Sequence, residues 1–291
     1  MVRPRTRHRP ARGLPRRARL IAPEAPRDPD PEVVSRLRAA GCVWAEAEAV
    51  LLEECATSEG DLAVLLARRV GGEPLETVLG WVEFLGRRLA VAPGVFVPRR
   101  RTELLARTTL AEVDARHRPG ERVVVVEMCC GVAPVAAHLA PDVEMHAADS
   151  SAAALGCART NAPTAAFHLG DLYDALPADL RGRVDVLAAN APYVPTDRIA
   201  AMPTEARDHE PRAALDGGDD GVVLHRRLAA DASGWLAPGG VLLVETSPGQ
   251  APLTTAAMTA GGLEARLVVD HEIGGCVAIG VRPGARDPLS R

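Results

Sequence analysis

A four-residue polar motif that follows an apolar run is the part of this sequence best suited to chemistry. The run extends from 184 to 189, and Asn190-Ala191-Pro192-Tyr193 comes directly after it. A run of this length predicts a buried strand, and ligands of open α/β sheets bind where strands end. Asparagine offers an amide acceptor and donor, proline fixes the backbone, and tyrosine presents a flat face. The motif therefore suits a planar –NH2 group, although turn chemistry alone explains it equally well as a strand-to-loop turn.

Acidic residues and a glycine turn are predicted to share the edge of the sheet with this motif. The β-branched run 123–126 predicts a central parallel strand, and the turn Glu127–Gly131 and a helix starting at Val135–Leu139 follow it. Asp149 ends the second strand, about 20 positions after the turn, where dinucleotide-binding folds hold a ribose hydroxyl. Asp171 ends the third strand. We expect the turn to receive the charged end of a cofactor, Asp149 to bind ribose hydroxyls, and Asp171 to accept from an exocyclic amine such as adenine N6.

Strands and helices alternate through the second half of the chain, which predicts a doubly wound α/β sheet. The last two strands are close in sequence and suit an antiparallel pair at the sheet edge. The predicted elements are strands at 123–126, 145–148, 167–171, 184–189, 241–245, 263–270 and 275–281, helices at 151–161, 223–232 and 251–260, and a turn at 235–240.

A small helical region is predicted ahead of the sheet. Asp30-Pro31 is a good helix start, Ser58-Glu59-Gly60-Asp61 caps a later helix, and Gly71-Gly72 ends that helix. The stretch that follows predicts a hairpin of two short strands around Gly86. A loop with three consecutive arginines, which we interpret as solvated, then leads into a helix that begins near Thr102.

Composition limits the function classes. The 291 residues carry a net charge of −4 and are 47% hydrophobic, as expected for a soluble protein with one α/β domain and a smaller one. No apolar run approaches the length of a membrane span, and the net charge does not indicate nucleic-acid binding. The 6 cysteines match no metal or disulfide framework, so we expect buried, reduced thiols and no metal site. Residues 1–30 are rich in Arg and Pro and predict a disordered extension, which would be the only basic arm for RNA.

Several segments together resemble one enzyme family. Gly72-Glu73-Pro74-Leu75 resembles its linker, Val97–Glu103 resembles its Pro-Arg-x-x-Thr-Glu element, and the Asn190 motif resembles its Asn-Pro-Pro-Tyr. The strongest match is the segment Asp208–Gly221, which ends in Leu-Asp-Gly-Gly-Asp-Asp-Gly. Over residues 31–283 the chain resembles the protein-(glutamine-N5) methyltransferases that modify peptide chain release factors (the PrmC/HemK family), in a subgroup that reads Asn-Ala-Pro-Tyr.

The resemblance implies a fold and an activity. The fold would be α/β, a Rossmann-like class I methyltransferase sheet with antiparallel final strands, preceded by a small N-terminal helical domain. The activity would be transfer of a methyl group from S-adenosylmethionine to a glutamine side-chain amide of a protein, a peptide chain release factor, in the cytoplasm and away from membranes. The domains would be an extension at 1–30, a helical substrate-docking domain at 31–80, a hairpin linker at 81–110 and the methyltransferase domain at 111–291.

The resemblance also implies site residues. Asn190, Pro192 and Tyr193 would be catalytic, and together with Ala191 they would bind the substrate amide. The Asn190 side-chain oxygen and the Ala191 carbonyl would accept the amide hydrogens, and Tyr193 would pack against the amide. The residues expected to bind the cofactor are Glu127, Gly131, Asp149, Asp171 and Asn190.

The cofactor turn departs from the family pattern acid-x-Gly-x-Gly-x-Gly. It reads Glu127-Met128-Cys129-Cys130-Gly131-Val132-Ala133-Pro134, so one glycine of three remains. We expect the Ala133 methyl to stand where the backbone normally approaches the ligand closely. Two further alternatives stay open: a nucleic-acid adenine amino-methyltransferase, and a degenerate methyltransferase fold that only binds a partner. An NAD-dependent enzyme would also fit the acids at the sheet edge. Because those acids and Asn190 persist, we favour a working methyltransferase.

Overall fold

A computed structural model of the protein describes residues 28–139 and 143–284. The predicted Arg- and Pro-rich extension therefore lies outside the described residues, apart from its last three positions. None of the helices in these two ranges is long and apolar enough to cross a membrane.

The N-terminal region is helical, as predicted, and it contains four helices, of which the short last one was not predicted. Asp30 caps the first by accepting a 2.8 Å hydrogen bond from the Glu32 N–H, and Ser58 caps the third by accepting from the Asp61 N–H at 3.2 Å. Apolar side chains from all four of these helices pack into a separate small core, in which Leu37 and Leu52 are fully buried. The helices are α1 (Pro31–Ala39), α2 (Ala45–Cys55), α3 (Glu59–Val70) and α4 (Leu75–Leu79).

A hairpin and one long helix connect this region to the sheet. Strands β1 (Trp81–Phe84) and β2 (Arg87–Ala90) pair antiparallel, and the turn places Leu85 and Gly86 at φ +46° and +74°. This confirms the predicted hairpin. A 3-10 turn (Arg100–Thr102) then runs directly into α5 (Glu103–Arg116), so the predicted start near Thr102 is also correct.

Seven strands form the central sheet in the order β5-β4-β3-β6-β7-β9-β8. The first five in this order are parallel, and β9 lies antiparallel to both β7 and β8. The predicted doubly wound sheet with an antiparallel final pair is therefore confirmed. The strands are β3 (Val124–Met128), β4 (Glu144–Asp149), β5 (Ala166–Leu169), β6 (Val184–Ala189), β7 (Leu236–Glu245), β8 (Glu264–Asp270) and β9 (Gly275–Val281).

Helices cover both faces of the sheet because alternate residues of each central strand point to opposite sides. On β6, Val186 belongs to the core that includes Leu105 of α5, whereas Leu187 belongs to the core that includes Leu228 of α8. The remaining helices are α6 (Ala152–Asn161), α7 (Thr204–His209), α8 (Val223–Trp235) and α9 (Ala251–Ala260). With both faces covered, the carboxyl ends of the parallel strands are left as the edge where a ligand can enter.

Two predicted elements are wrong. The helix expected from Val135 is a single 3-10 turn (Ala136–His138), because Leu139 is extended at ψ 148° and ends the hydrogen bonding. The turn expected at 235–240 is instead the end of α8 and the beginning of β7. Val184 pairs with Leu236 and Val186 with Val241, so the Pro-Gly-Gly segment forms an irregularity inside a strand.

All six cysteines lie in the described ranges and all are free. Cys130 and Cys276 are buried, as predicted, whereas the other four are only half-buried.

Candidate functional site

One cavity at the carboxyl ends of β3, β4 and β6 brings together every residue that the sequence marked as a site residue. The register of the sheet causes this, because Met128 pairs with Ala148 on one side and with Ala189 on the other. The turn after β3, Asp149 and the Asn190 motif therefore begin at the same level. The predicted residues that line the cavity are Glu127, Gly131, Asp149, Asp171, Asn190, Ala191, Pro192 and Tyr193.

Asn190 presents an open acceptor to this cavity. Its Nδ2 donates to the Thr102 hydroxyl at 3.3 Å. In a planar amide this bond leaves Oδ1 on the other side, and no residue in the described ranges donates to Oδ1. Thr102 itself is buried, with 1% of its surface exposed, so it is a fixed partner. The Asn190 side chain is thus oriented with its oxygen free to bind an incoming N–H.

Tyr193 is held by charged neighbours rather than by apolar packing alone. Its hydroxyl accepts a hydrogen bond from Arg101 Nε at 2.7 Å and donates to Glu245 Oε1 at 3.1 Å. Burial raises the pKa of the Tyr193 hydroxyl and the Glu245 carboxyl. The second oxygen of the buried Glu245, Oε2, has no partner among the residues that the structure describes. These contacts fix the position of the Tyr193 ring at the wall of the cavity.

Sequence reasoning missed Glu245 and misjudged the arginine loop. Arg100 and Arg101 are exposed, as predicted for a solvated loop, but Arg101 also binds Tyr193 through Nε. Arg99 does not match the prediction, because its Nη2 binds the buried Glu210 at 2.6 Å. A signal for Glu245 was present, since it is the last residue of a predicted strand. Its importance depends on β7 lying beside β6, which puts Glu245 level with Asn190.

The segment Asp208–Gly221 clamps the Asn190 loop. The Val194 N–H donates to the Leu215 carbonyl at 2.9 Å, and the Gly217 N–H donates back to the Val194 carbonyl at 2.8 Å. A Cβ on Gly217 would lie 2.7 Å from Tyr193 Cα, so only glycine allows this approach. The strongest sequence match therefore corresponds to a backbone contact that positions the candidate site.

Glu210, within the same segment, fixes the loop that carries the arginines. It accepts from the Val97 N–H at 3.1 Å and from Arg99 at 2.6 Å. Burial raises the pKa of its carboxyl despite both contacts. The arginine loop and the Asn190 loop are thus attached to one segment.

The comparisons with known proteins agree on methyl transfer. No protein-family model matches the chain. A methyltransferase of Streptomyces pristinaespiralis, named for 4-amino-L-phenylalanine and 4-methylamino-L-phenylalanine, is 36% identical over 66% of this chain and 71% of its own. The release factor glutamine methyltransferase of Geobacter sulfurreducens is 35% identical over 68% of each chain. The one of Streptomyces coelicolor is 38% identical over 65% of this chain and 69% of its own.

The chain belongs to the release factor glutamine methyltransferase family. The sheet described above is accordingly the Rossmann-like class I methyltransferase fold that the sequence predicted.

The three positions where the family pattern has glycine share one backbone conformation in this chain, although only one of them is glycine. Cys129, Gly131 and Ala133 have φ of +53°, +53° and +59°, all in the left-handed region. This conformation costs an L-residue other than glycine about 1–2 kcal/mol of conformational free energy. The Ala133 side chain is fully buried in the core, where a methyl contributes about 1 kcal/mol. The expectation that this methyl stands where the ligand approaches is not met: of the segment Glu127–Pro134, every residue except Ala133 lines the cavity.

Asp149 is bound to the backbone of the turn. Its Oδ2 accepts from the Gly131 N–H and its Oδ1 from the Ser151 N–H, both at 2.8 Å. Burial raises the pKa of this carboxyl, against the opposing effect of the backbone N–H groups. A carboxylate oxygen has further acceptor capacity, so Asp149 can still accept from hydroxyl groups.

Glu127 and Asp171 have different surroundings. Glu127 is buried and accepts from the N–H groups of Val135 and Ala136 at 3.1 and 2.8 Å, and burial raises its pKa to about 8. It thereby supports the single turn that replaces the predicted helix. Asp171 is exposed and forms a two-point ion pair with Arg227 at 2.7 and 3.3 Å. Asp171 therefore lies paired with Arg227 at the rim, whereas Glu127 binds the backbone of the turn.

Proposed function

We propose that the protein transfers a methyl group from S-adenosylmethionine to a glutamine side-chain amide of a protein, a peptide chain release factor, in the cytoplasm. The observation that carries this proposal is the open Asn190 Oδ1 beside the Tyr193 ring, in a cavity shared with Gly131 and Asp149. An amide-binding group and a nucleotide-type turn in one cavity support transfer between the two ligands. Names of the family relatives support the same acceptor.

The residues of the cavity fit the cofactor. A Cβ added to Gly131 would meet no heavy atom within 4 Å, so there is space beside the turn for a ligand to approach the backbone. The carboxylates of Asp149 and Asp171 keep lone pairs for hydroxyl and amine donors. When bound, S-adenosylmethionine supplies an electrophilic methyl group on a sulfonium.

The work of the protein in this reaction is positioning. An amide nitrogen is a poor nucleophile because its lone pair is delocalised into the carbonyl, so orientation and electrostatics must supply the acceleration. Asn190 Oδ1 and the Ala191 carbonyl accept the two amide hydrogens, and Pro192 fixes the direction of that carbonyl. Tyr193 packs against the amide plane. The proton leaves after transfer, so no strong base is required.

His225 lies beside Tyr193, with ring centroids 6.3 Å apart, and its Nδ1 is 2.9 Å from the buried Thr254 hydroxyl. The imidazole is buried, and burial lowers its pKa to about 4, although the nearby Ala191 carbonyl opposes that shift. A neutral ring under the acceptor loop adds no positive charge close to the methyl donor.

The helical region 31–80 is proposed to dock the protein substrate, with the linker at 81–110 and the methyltransferase domain at 111–291. Arg69 of α3 supports a fixed arrangement of these parts. It is buried and binds Glu48 of α2 and Glu205 of α7, both at 2.6 Å. A substrate held on the helices is thereby presented to the segment that clamps the Asn190 loop.

A second candidate acceptor is the amine of a small aromatic amino acid. The relative of Streptomyces pristinaespiralis is named for such a substrate, and an aromatic amine is as planar as an amide. The adenine alternative depends on a basic arm, and that arm lies outside the described residues.

A labelled-methyl assay with the purified protein tests the proposal. We expect transfer from labelled S-adenosylmethionine to a bacterial release factor, and no transfer to the same factor with its acceptor glutamine replaced by alanine. Parallel reactions contain 4-amino-L-phenylalanine or an adenine-containing oligonucleotide. Label in either of these, and none in the release factor, would overturn the proposed acceptor.

Replacing Gly131 by alanine is expected to have two separately measurable effects, one on the free energy of unfolding and one on cofactor affinity. Gly131→Ala places an L-residue at φ +53°, which costs about 1–2 kcal/mol of unfolding free energy. The same methyl occupies the space beside the turn, so we expect the dissociation constant for S-adenosylmethionine to rise about tenfold or more. Calorimetric titration and urea unfolding measure the two effects.

Gly156→Ala is the matched control. Gly156 lies inside α6 with space around it and without a positive φ, so alanine there should stabilise the helix slightly and leave cofactor affinity unchanged. Unchanged affinity in Gly131→Ala would show that the cofactor does not approach this turn.

A further inference from the structure

We propose that Arg101 forms an anion subsite beside the Asn190 loop, and that the methyl acceptor carries a carboxylate close to the nitrogen that is methylated. This inference rests on the proposed function and specifies the class of acceptor for the same cavity. The carboxylate can belong to a free amino acid or to an acidic side chain next to the acceptor in a peptide.

The guanidinium of Arg101 is fixed in the wall of the cavity. Its Nε donates to the Tyr193 hydroxyl at 2.7 Å and to Glu245 Oε1 at 3.3 Å, the second contact being an ion pair with a buried carboxylate. Its Cζ lies 5.7 Å from the centroid of the Tyr193 ring. Because both contacts use Nε, the orientation of the planar group is set without using its terminal nitrogens. A site oriented in this way loses little side-chain entropy when a ligand binds.

Both terminal nitrogens of Arg101 are open. Neither Nη1 nor Nη2 has a hydrogen-bond partner within residues 28–139 and 143–284, and 44% of the side chain is exposed. Arg99 also lines the cavity, but its Nη2 donates to the buried Glu210. A guanidinium with two free parallel N–H groups is the side chain best matched to a carboxylate.

The neighbours of Arg101 have other partners. Arg99 binds Glu210, and Thr102 accepts from Asn190, so both hold the loops of the site in place. Arg101 stands between them and places a cation beside the Tyr193 ring, with its terminal nitrogens facing no protein acceptor in the described ranges. We therefore assign the recognition of the acceptor's charge to Arg101.

The test is a comparison of matched acceptors, measured as equilibrium binding in the presence of S-adenosylhomocysteine. One pair of probes is 4-amino-L-phenylalanine and its carboxamide. The other is a glutamine-containing peptide with either glutamate or glutamine beside the acceptor. We expect the carboxylate member of one pair to bind about tenfold or more tightly than its neutral partner. The pair that shows the preference identifies the source of the carboxylate.

Variants of the arginines show whether Arg101 causes this preference. In Arg101→Gln the preference should fall to about one, and in Arg101→Lys, which keeps the charge without the fork, it should be intermediate. Arg100→Gln is the matched control, because Arg100 is exposed and does not line the cavity; it should keep the full preference. Binding of S-adenosylhomocysteine by each variant establishes that the fold is intact.

Two results would overturn the inference: no carboxylate preference in either pair, or a preference that survives unchanged in Arg101→Gln. These are distinguishable from failure of the proposed function. Methyl transfer to a release factor without any carboxylate preference removes the subsite alone. A preference that depends on Arg101, without methyl transfer to a release factor, supports the subsite and removes the proposed acceptor.

Discussion

Replacing Asn190 by alanine is expected to lower kcat for methyl transfer by about a hundred- to a thousand-fold, the effect of losing one preorganised polar group at a reacting centre. The variant loses Oδ1, the open acceptor that is proposed to orient the substrate nitrogen. Stability should change little, because the folded protein loses only one 3.3 Å hydrogen bond to Thr102. Single-turnover transfer of labelled methyl groups measures the loss, and calorimetry checks that cofactor affinity is kept.

Asn190→Asp is the control for this result. It keeps an oxygen acceptor at the same position but cannot donate to Thr102, so it should retain more activity than the alanine variant. An alanine variant with more than about a tenth of the native rate would mean that the motif is only a strand-to-loop turn. A protein that keeps its partner but never transfers a methyl group, with or without Asn190, would favour the binding-module alternative.

Replacing Asp149 by alanine is expected to abolish measurable binding of S-adenosylmethionine. The variant loses the carboxylate that is proposed to accept from ribose hydroxyls, and it also leaves the N–H groups of Gly131 and Ser151 without their 2.8 Å partners. Each charge-assisted hydrogen bond contributes about 1.5–3 kcal/mol. The loss of the two bonds expected between Asp149 and the ribose hydroxyls therefore lowers the affinity for S-adenosylmethionine about a hundredfold or more. Calorimetric titration of the native protein should give micromolar affinity for comparison.

Asp174→Ala controls for the removal of one negative charge near the cavity rim. Asp174 is exposed and does not line the cavity, so its removal should leave affinity unchanged. Native protein that fails to bind the cofactor up to millimolar concentration would contradict the enzyme assignment for the isolated chain.

Strand and helix patterns predicted most of the architecture because the strong periodic signals are local. The bounds of β6, α9 and β9 follow the sequence pattern at every residue. The helix expected from Val135 has the right local composition, but the turn there is held by the buried Glu127, a contact that no local pattern contains. The polar network around the site was predictable only in part for the same reason. Asn190 was recognisable from its own motif. The role of Glu245, in contrast, depends on the pairing of β7 with β6, which the local sequence does not contain.

The left-handed conformation at Cys129, Gly131 and Ala133 has a consequence for recognising related chains. A search that counts glycines scores this turn as degenerate, yet all three positions have the positive φ that glycine adopts most readily. In this chain cysteine and alanine follow the same left-handed backbone path as the remaining glycine. Chains with altered glycine fingerprints are therefore better compared by the signs of φ along the turn than by the letters of the motif.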